Sequence, residues 1–216
     1  MIRSFRQAAV AAAALIAASG AFAATELYEF KTFYDPSTLN PFDTKQYGSS
    51  VASLSIQDIT GGVQLKLTFN NNDFPTAAGK SLYADELWLA GGTKGAIAGV
   101  SGGTIDTSKT AYYSKGFYQE GTKFNYDIDF KDGTVKEGSV TTLTIKGTGV
   151  STATFGGAGQ PIMLELANIG KPYTGFLGLN SVVHFVATAV PEPSTYALMG
   201  LGLVGVVLAA RKRKAA

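Results

Sequence analysis

Apolar and polar residues alternate in two clear segments of this chain. Residues 63–69 place apolar side chains at every odd position and polar or charged ones between them. Residues 124–130 repeat the pattern, with aromatic or aliphatic side chains at even positions and Asn125, Asp127 and Asp129 between them. Because successive side chains of a strand point to opposite faces, each segment predicts a β-strand with one buried and one solvated face.

Shorter apolar runs, bounded by glycine and asparagine, predict further strands. They lie near residues 27–34, 53–57, 84–89, 143–145, 162–166 and 182–186. This region shows no helical periodicity of useful length, and short strands at this spacing are typical of a sandwich. The sequence therefore predicts one all-β domain over residues 24–189, an antiparallel two-sheet β-sandwich or jelly roll of roughly nine or ten strands.

Glycine and turn residues give three further expectations. Asp132-Gly133 follows the second alternating segment and is typical of a hairpin turn. The glycine-rich stretch 91–103 predicts a long flexible surface loop. Residues 188–193 predict a linker between the domain and the C-terminal segment.

The N-terminal segment has the order of a secretory signal peptide. Two arginines precede an apolar run over residues 8–18, and small residues follow it. The run is shorter than the roughly 20 residues that span a bilayer, so a helix over residues 1–23 is expected to be cleaved rather than retained as an anchor. The predicted signal peptidase site comprises Ala21, Ala23 and the new N-terminus Ala24.

The C-terminal segment has three parts in sequence. A Pro-Glu-Pro motif comes first, an apolar stretch over residues 196–210 follows, and four cations end it. As a helix the apolar stretch rises only about 22 Å against a hydrocarbon core of roughly 30 Å, which predicts a marginal transmembrane helix. The cations stay cytoplasmic by the positive-inside rule, so the domain is expected in the periplasm. They are Arg211, Lys212, Arg213 and Lys214.

These three parts, in this order over residues 190–216, resemble the PEP-CTERM sorting domain of Gram-negative bacteria. In that family an exosortase, an integral-membrane cysteine transpeptidase, recognises the tail and cuts near the motif. The resemblance implies recognition through Pro191, Glu192 and Pro193, a transient inner-membrane anchor and a basic retention signal. Family members are linked to extracellular polysaccharide and biofilm, so delivery to the cell surface or the extracellular matrix is expected.

Composition excludes several classes of function. The chain has no cysteine, which removes disulfides, thiolate nucleophiles and cysteine metal sites, and His184 is its single histidine. Between residues 24 and 190 there are twelve lysines, no arginine and fifteen carboxylates, a net charge of −3. A nucleic-acid-binding protein needs a dense cationic face, so that class is excluded, and no cofactor is expected.

Acidic residues offer two candidate sites. Asp127, Asp129 and Asp132 form a weak calcium candidate, but Lys131 breaks the ligand spacing, and solvated outer-face carboxylates followed by a turn are the simpler explanation. Asp85-Glu86 beside Trp88 is the pair best suited to two-carboxylate hydrolysis, whose geometry the sequence does not supply.

The histidine and the aromatic residues complete the candidate chemistry. His184 alternates with valines in the last predicted strand and fits a core or edge position, since no Gly-x-Ser-x-Gly nucleophile motif accompanies it. Trp88, Tyr112 and Tyr113 are candidate glycan contacts, because sugar rings stack on aromatic faces. In a strand the two tyrosines point to opposite faces, so at least one is expected to be exposed.

Three functions fit these observations. The first is a non-enzymatic, exosortase-processed surface or matrix protein that associates with extracellular polysaccharide. The second is an exported glycan hydrolase that uses paired carboxylates. The third is a structural matrix subunit that pairs edge strands with its own copies. The expected partners are signal peptidase, exosortase, the inner membrane transiently and a polysaccharide.

Overall fold

The computed structural model describes residues 25–34, 44–70, 74–119, 121–155, 161–170 and 182–190, together with the isolated residues 202 and 204. It contains eleven strands and one short 3-10 helix, Thr152–Thr154. In chain order the strands are β1 (Thr25–Tyr34), β2 (Thr44–Gln46), β3 (Ala52–Ile59), β4 (Gly62–Phe69), β5 (Tyr83–Leu89), β6 (Ala96–Ser101), β7 (Ala111–Gln119), β8 (Thr122–Asp129), β9 (Val140–Lys146), β10 (Ile162–Ala167) and β11 (Val183–Val190).

All eleven strands belong to one antiparallel sheet, and ten of them follow each other in a single path. Their order is β6-β9-β4-β3-β1-β11-β10-β5-β8-β7, and β2 pairs with β1 outside this path. The predicted all-β antiparallel class is confirmed. The predicted division into two sheets is wrong, because hydrogen-bonded ladders run without interruption from β6 to β7. A twisted sheet of about ten strands curls rather than staying open, and this one curls on itself.

The curled sheet encloses one large apolar core, and a smaller buried cluster of Trp88, Ala90, Phe124 and Met163 is separate from it. Leu54 and Leu65 from one half of the sheet belong to the same buried cluster as Leu87 and Ile128 from the other half. The two ends of the sheet also meet, because the Tyr126 hydroxyl on β8 accepts a 2.7 Å hydrogen bond from the Gly95 N–H and donates a 2.6 Å bond to the Thr93 carbonyl beside β6. The core therefore lies inside a partly closed cylinder.

The two alternating segments of the sequence form strands as predicted. Residues 63, 65, 67 and 69 of β4 are buried in the core, and β4 forms a hairpin with β3 in which Ile59 pairs with Gly62. Gly61 in this turn has a φ of 76°, a conformation that glycine adopts without steric cost. In β8, Asp127 and Asp129 lie opposite Tyr126 and Ile128, as predicted, but this face is not solvated as expected, because Asp129 is buried and Asp127 is half-buried.

Three local expectations differ from the structure. The stretch 91–103 is not a loop throughout, because it contains β6, which pairs with β9. Asp132-Gly133 forms a turn but not a hairpin, since β8 and β9 lie far apart in the sheet. Residues 188–190 are not a linker, because they complete β11 and pair with β1.

The expectations for the two chain ends fall outside the described residues. They concern the signal peptide over residues 1–23, the sorting motif Pro191-Glu192-Pro193, the basic cluster and the apolar stretch, of which only the helical residues 202 and 204 are described. Among the described residues, no helix has the length and apolar character needed to cross a membrane. The two terminal helices remain predictions.

Candidate functional site

The outer face of the sheet, opposite the core, carries a row of polar side chains across four neighbouring strands. Glu165 on β10 pairs with His184 on β11 and with Glu86 on β5. Glu86 in turn pairs with Asp129 on β8. The register of the ladders thus brings residues from distant parts of the chain into one row. Glu86 and His184, which flank Glu165, are 98 positions apart in the sequence.

A bulge adds a second acid from β5 to this row. Ala84 pairs with Leu166 and Glu86 with Glu165, so Asp85 is an extra residue without a counterpart on β10. The bulge lets the adjacent Asp85 and Glu86 approach the same region, where desolvation, helped by repulsion from Glu165, raises the pKa of Asp85. We call the five acids the carboxyl cluster: Asp85, Glu86, Asp127, Asp129 and Glu165.

Trp88 holds one side of the carboxyl cluster. Its indole N–H points between two acceptors, Glu86 Oε2 at 2.7 Å and Asp127 Oδ1 at 3.1 Å. Its ring packs against Phe124, at 5.9 Å between centroids, and against the His184 ring at 5.0 Å. Only 3% of Trp88 is exposed. The indole therefore supports the carboxyl cluster, and its faces are covered by protein rather than open to a sugar.

His184 closes the other side of the carboxyl cluster. Its Nε2 lies 2.7 Å from Glu165 Oε2, and the two side chains are only 11% and 12% exposed. The histidine lies in a strand in the middle of the sheet, between β1 and β10, so it is not an edge residue. Its role in the structure is to join β11 to β10 through an acid that the sequence analysis did not single out.

Burial of this many acids shifts their protonation. Desolvation, followed by repulsion from Asp127 and Glu165, raises the pKa of Glu86 to about 7. Desolvation, followed by repulsion from Glu165, raises the pKa of Asp85 to about 6. Burial also raises the pKa values of Asp127 and Asp129. Asp85 and Glu86 therefore retain protons at pH values where isolated carboxyls are fully ionised.

The calcium candidates are divided between two environments. Asp129 is only 5% exposed, and its Oδ2 lies 3.4 Å from the Lys109 ammonium, which lowers its pKa against the effect of burial. Asp127 receives the Trp88 N–H, whereas Asp132 is exposed in the turn that follows β8. Within the described ranges, no three histidine or acidic side chains are grouped so as to hold a metal ion.

The edge strand β7 presents aromatic side chains to solvent. Tyr113 is 41% exposed and Tyr118 is 72% exposed. Phe117 lies 5.0 Å from the Tyr113 ring and 6.3 Å from the Trp88 ring, whereas Tyr118, the next residue of β7, points to the opposite side of the strand. We call Tyr113, Phe117 and Tyr118 the aromatic edge, which joins the surface to the aromatic residues around the carboxyl cluster. The expectation that one tyrosine of the pair at 112–113 is exposed agrees with this arrangement.

Tyr112, the other tyrosine of the pair, points into a cavity. The cavity has a volume of about 230 Å³ and lies where β6 and β7, the two edges of the curled sheet, approach each other. The Tyr112 ring meets the Tyr126 ring at 4.7 Å, and Thr107 and Thr110 add hydroxyl groups to the lining. Tyr112 and Tyr113 thus serve different surfaces, and no single ligand face contains both.

The first and last described strands lie beside each other. Leu27 on β1 pairs with Val190 on β11, in an antiparallel register. Ala24, the predicted mature N-terminus, is three residues before Leu27, and Pro191 directly follows Val190. Both predicted processing sites therefore adjoin the same end of one strand pair.

The sequence of this chain matches one known family model. Residues 189–214 match the PEP-CTERM protein-sorting motif, almost the same segment as the predicted 190–216. No curated protein and no solved structure matches the chain. The end of this chain is thus a PEP-CTERM sorting motif, and the motif implies an exported protein that exosortase processes and directs to the cell surface.

Proposed function

We propose that this protein is delivered to the cell surface or extracellular matrix by exosortase and that its folded body binds extracellular polysaccharide without catalysis. The observation that carries the proposal is the sorting motif at residues 189–214, attached to a body with exposed aromatic rings on an edge strand. The route through a transient inner-membrane anchor, with the body in the periplasm, belongs to the same proposal.

The aromatic edge supports the binding half of the proposal. Tyrosine combines a flat apolar ring with a hydroxyl that can hydrogen-bond, which suits the C–H faces and hydroxyls of sugars. Tyr113 and Tyr118 are large aromatic residues whose side chains remain exposed to solvent in the folded protein. Exposed aromatic groups on one strand are typical of an interaction surface.

The contacts within the carboxyl cluster support a non-catalytic body. Glu86 and Asp127 share the Trp88 N–H, and Glu165 is engaged by His184. A general acid must lie within hydrogen-bond distance of its substrate, whereas these acids are directed towards one another and towards side chains of the protein. We therefore interpret the carboxyl cluster as a connection between strands.

The binding half is tested with the mature protein recovered from its host and polysaccharide isolated from the same host. The double variant Tyr113→Ala, Tyr118→Ala is expected to bind at least about tenfold more weakly, a loss of roughly 1.4 kcal/mol. Val140→Ala removes an exposed apolar side chain from β9 and is the matched control, expected to bind as wild type does. Unchanged binding by the double variant, or no binding by wild type, would contradict the proposal.

One observation favours a glycan hydrolase as a second candidate. Asp85 and Glu86 have pKa values raised to about 6 and about 7, the range of a general acid, and each lies beside another carboxyl. If this function is correct, the protein releases new reducing ends from the host polysaccharide and Glu86→Gln abolishes the release. Concentration-dependent assembly of wild type without sugar would instead favour the structural matrix subunit.

A further inference from the structure

We propose that the end of β11 must separate from β1 before exosortase can process the tail. The last paired residues of these two strands, which we call the terminal rungs, therefore set the rate of processing. This inference rests on the proposed function, because it concerns the same sorting motif. It identifies a described part of the body as a determinant of that step.

The argument begins with the distance in sequence between the sheet and the motif. Thr188, Ala189 and Val190 pair with Glu29, Tyr28 and Leu27, the first part of β1. The family match begins at residue 189, so its first two residues belong to the ladder. Pro191, the first residue of the Pro-Glu-Pro motif, comes directly after the last paired residue.

The chain between the sheet and the bilayer is also short. Five residues, 191–195, separate Val190 from the apolar stretch that begins at Tyr196. Even fully extended, they reach at most about 18 Å. The recognition motif occupies the first three of the five. An enzyme at the membrane must therefore act within this reach of the folded body.

A peptide-cutting enzyme holds an extended substrate through its backbone N–H and carbonyl groups on both sides of the bond. On the N-terminal side of the motif, residues 188–190 pair with β1, so those of their N–H and carbonyl groups that point towards β1 are already engaged. Two partners cannot use the same backbone hydrogen-bonding groups at once. Separation of these residues from β1 frees the groups for the enzyme.

The end of β11 is built so that it can separate while the rest of the strand stays in place. Val183 and Phe185 are buried in the core, whereas Thr188 and Ala189 are exposed and Val190 is only partly buried. In the described part of the chain, β10 pairs with residues 183–186 alone, so residues 187–190 are held by β1 on one side. Exposed terminal rungs of this kind open at low free-energy cost.

The test uses a crosslink across these rungs. Because the chain has no cysteine, the double variant Glu29→Cys, Thr188→Cys contains a single possible disulfide, between directly paired residues that both lie outside the family match. The periplasm is oxidising and allows the bond to form. The matched control, Glu29→Cys with Ser53→Cys, shares one substitution and joins β1 to β3 instead.

Processing is followed by pulse-labelling the full chain in its host and measuring loss of the tail by mass, on the crosslinked fraction identified by thiol labelling. The 29–188 crosslink is expected to slow tail removal at least about tenfold, and reductant is expected to restore the rate. The 29–53 crosslink is expected to leave the rate at the wild-type value. A six-residue glycine-serine insertion between Val190 and Pro191 is expected to accelerate processing.

The possible failures are distinguishable. Equal processing of wild type and the 29–188 crosslinked chain would overturn this inference and leave the proposed function standing. Equal slowing by the 29–53 crosslink would also overturn it, because the effect would then not belong to the β1–β11 rungs. A wild-type chain that never loses its tail would overturn both.

Discussion

The two faces of the sheet along β5, β8, β10 and β11 are made by the same strands but stabilised in different ways. On the inner face, each of these strands contributes buried apolar side chains to one core. On the outer face, at the intervening positions, the same strands bring together acids, His184 and Trp88. The inner face needs only apolar surface of suitable volume, whereas the outer face needs specific partners at specific distances.

This difference reflects the physics of the two interactions. Hydrophobic burial is non-directional, so nearly any arrangement that covers Leu164 or Phe185 is favourable. Burial of Glu86 or Asp129 is unfavourable unless a donor, a proton or a cation meets the carboxyl. The outer face therefore makes the register of these strands specific, and the inner face supplies most of the stability.

The largest expected effect is on the inner face. Phe185→Ala removes a fully buried ring that meets the rings of Phe33 and Phe74 at 5.3 and 5.4 Å, and is expected to lower the free energy of unfolding by about 3–5 kcal/mol. Urea unfolding measures this change. Thr188→Ala, at an exposed position on the same strand, is the control and is expected to change it by less than about 0.5 kcal/mol. Loss of under about 1 kcal/mol in Phe185→Ala would refute the core assignment.

A smaller effect is expected from the outer face. Trp88→Phe keeps an aromatic ring and removes the N–H shared by Glu86 and Asp127, and is expected to cost about 1–3 kcal/mol. Because the lost bond favours ionised Glu86, its pKa rises further in the variant, and the cost is expected to be greater at pH 8 than at pH 5. Phe124→Leu, a packing change beside the same indole, is the control and is expected to give a cost independent of pH. The same cost at both pH values for Trp88→Phe would contradict the role of its N–H.

A third expected effect, which no substitution is needed to observe, is the pH dependence of wild-type stability. The pKa values of Asp85 and Glu86 are about 6 and 7 in the fold against 3.8 and 4.5 for the isolated groups, so between these values the folded chain binds more protons than the unfolded chain. Stability from these groups is therefore fully present below about pH 4 and is lost as the pH rises towards 7.

Thermal unfolding from pH 4 to pH 8 measures this loss. The double variant Asp85→Asn, Glu86→Gln is expected to flatten the profile, whereas Glu29→Gln, at the exposed Lys31 ion pair on β1, is expected to leave its shape unchanged. Two results would contradict this prediction and show that the carboxyl cluster does not retain its protons. One is a wild-type unfolding temperature that does not change between pH 4 and pH 8. The other is an unfolding temperature that rises with pH and has the same pH profile in the double variant.

Alternation in the sequence predicts the strands and their faces. The segment 63–69 lies in β4 and most of 124–130 in β8, with the expected inner sides, because the period of two is a local property. Phe124 is the exception, since it packs against Trp88 in a separate cluster. β6 was expected to be a loop because small residues and glycines hide its alternation. In β7, a bulge with Gly116 at a φ of 72° interrupts the pattern.

The order of strands is what the sequence leaves open. Alternation tells which face of β10 is buried but not that β5 and β11 are its neighbours, so one curled sheet and two packed sheets give the same pattern. Because the sequence does not give the neighbours of each strand, it also leaves most of the candidate site unpredicted. Asp85-Glu86 beside Trp88 was singled out, but Glu165 is a lone acid in an apolar run, and its closeness to His184 and Glu86 follows only from the register.

The central claim is that the chain is exported and then loses its sorting tail, and the intact mass of the mature protein tests it most directly. The protein is recovered from the cell surface and from the medium of its host, beside a variant with Pro191, Glu192 and Pro193 replaced by alanine. We expect wild type to begin at Ala24 and end near Pro193, while the variant keeps its tail and stays in the inner membrane. If both chains keep residues 194–216, the tail is a plain anchor, and exosortase processing of this protein is refuted.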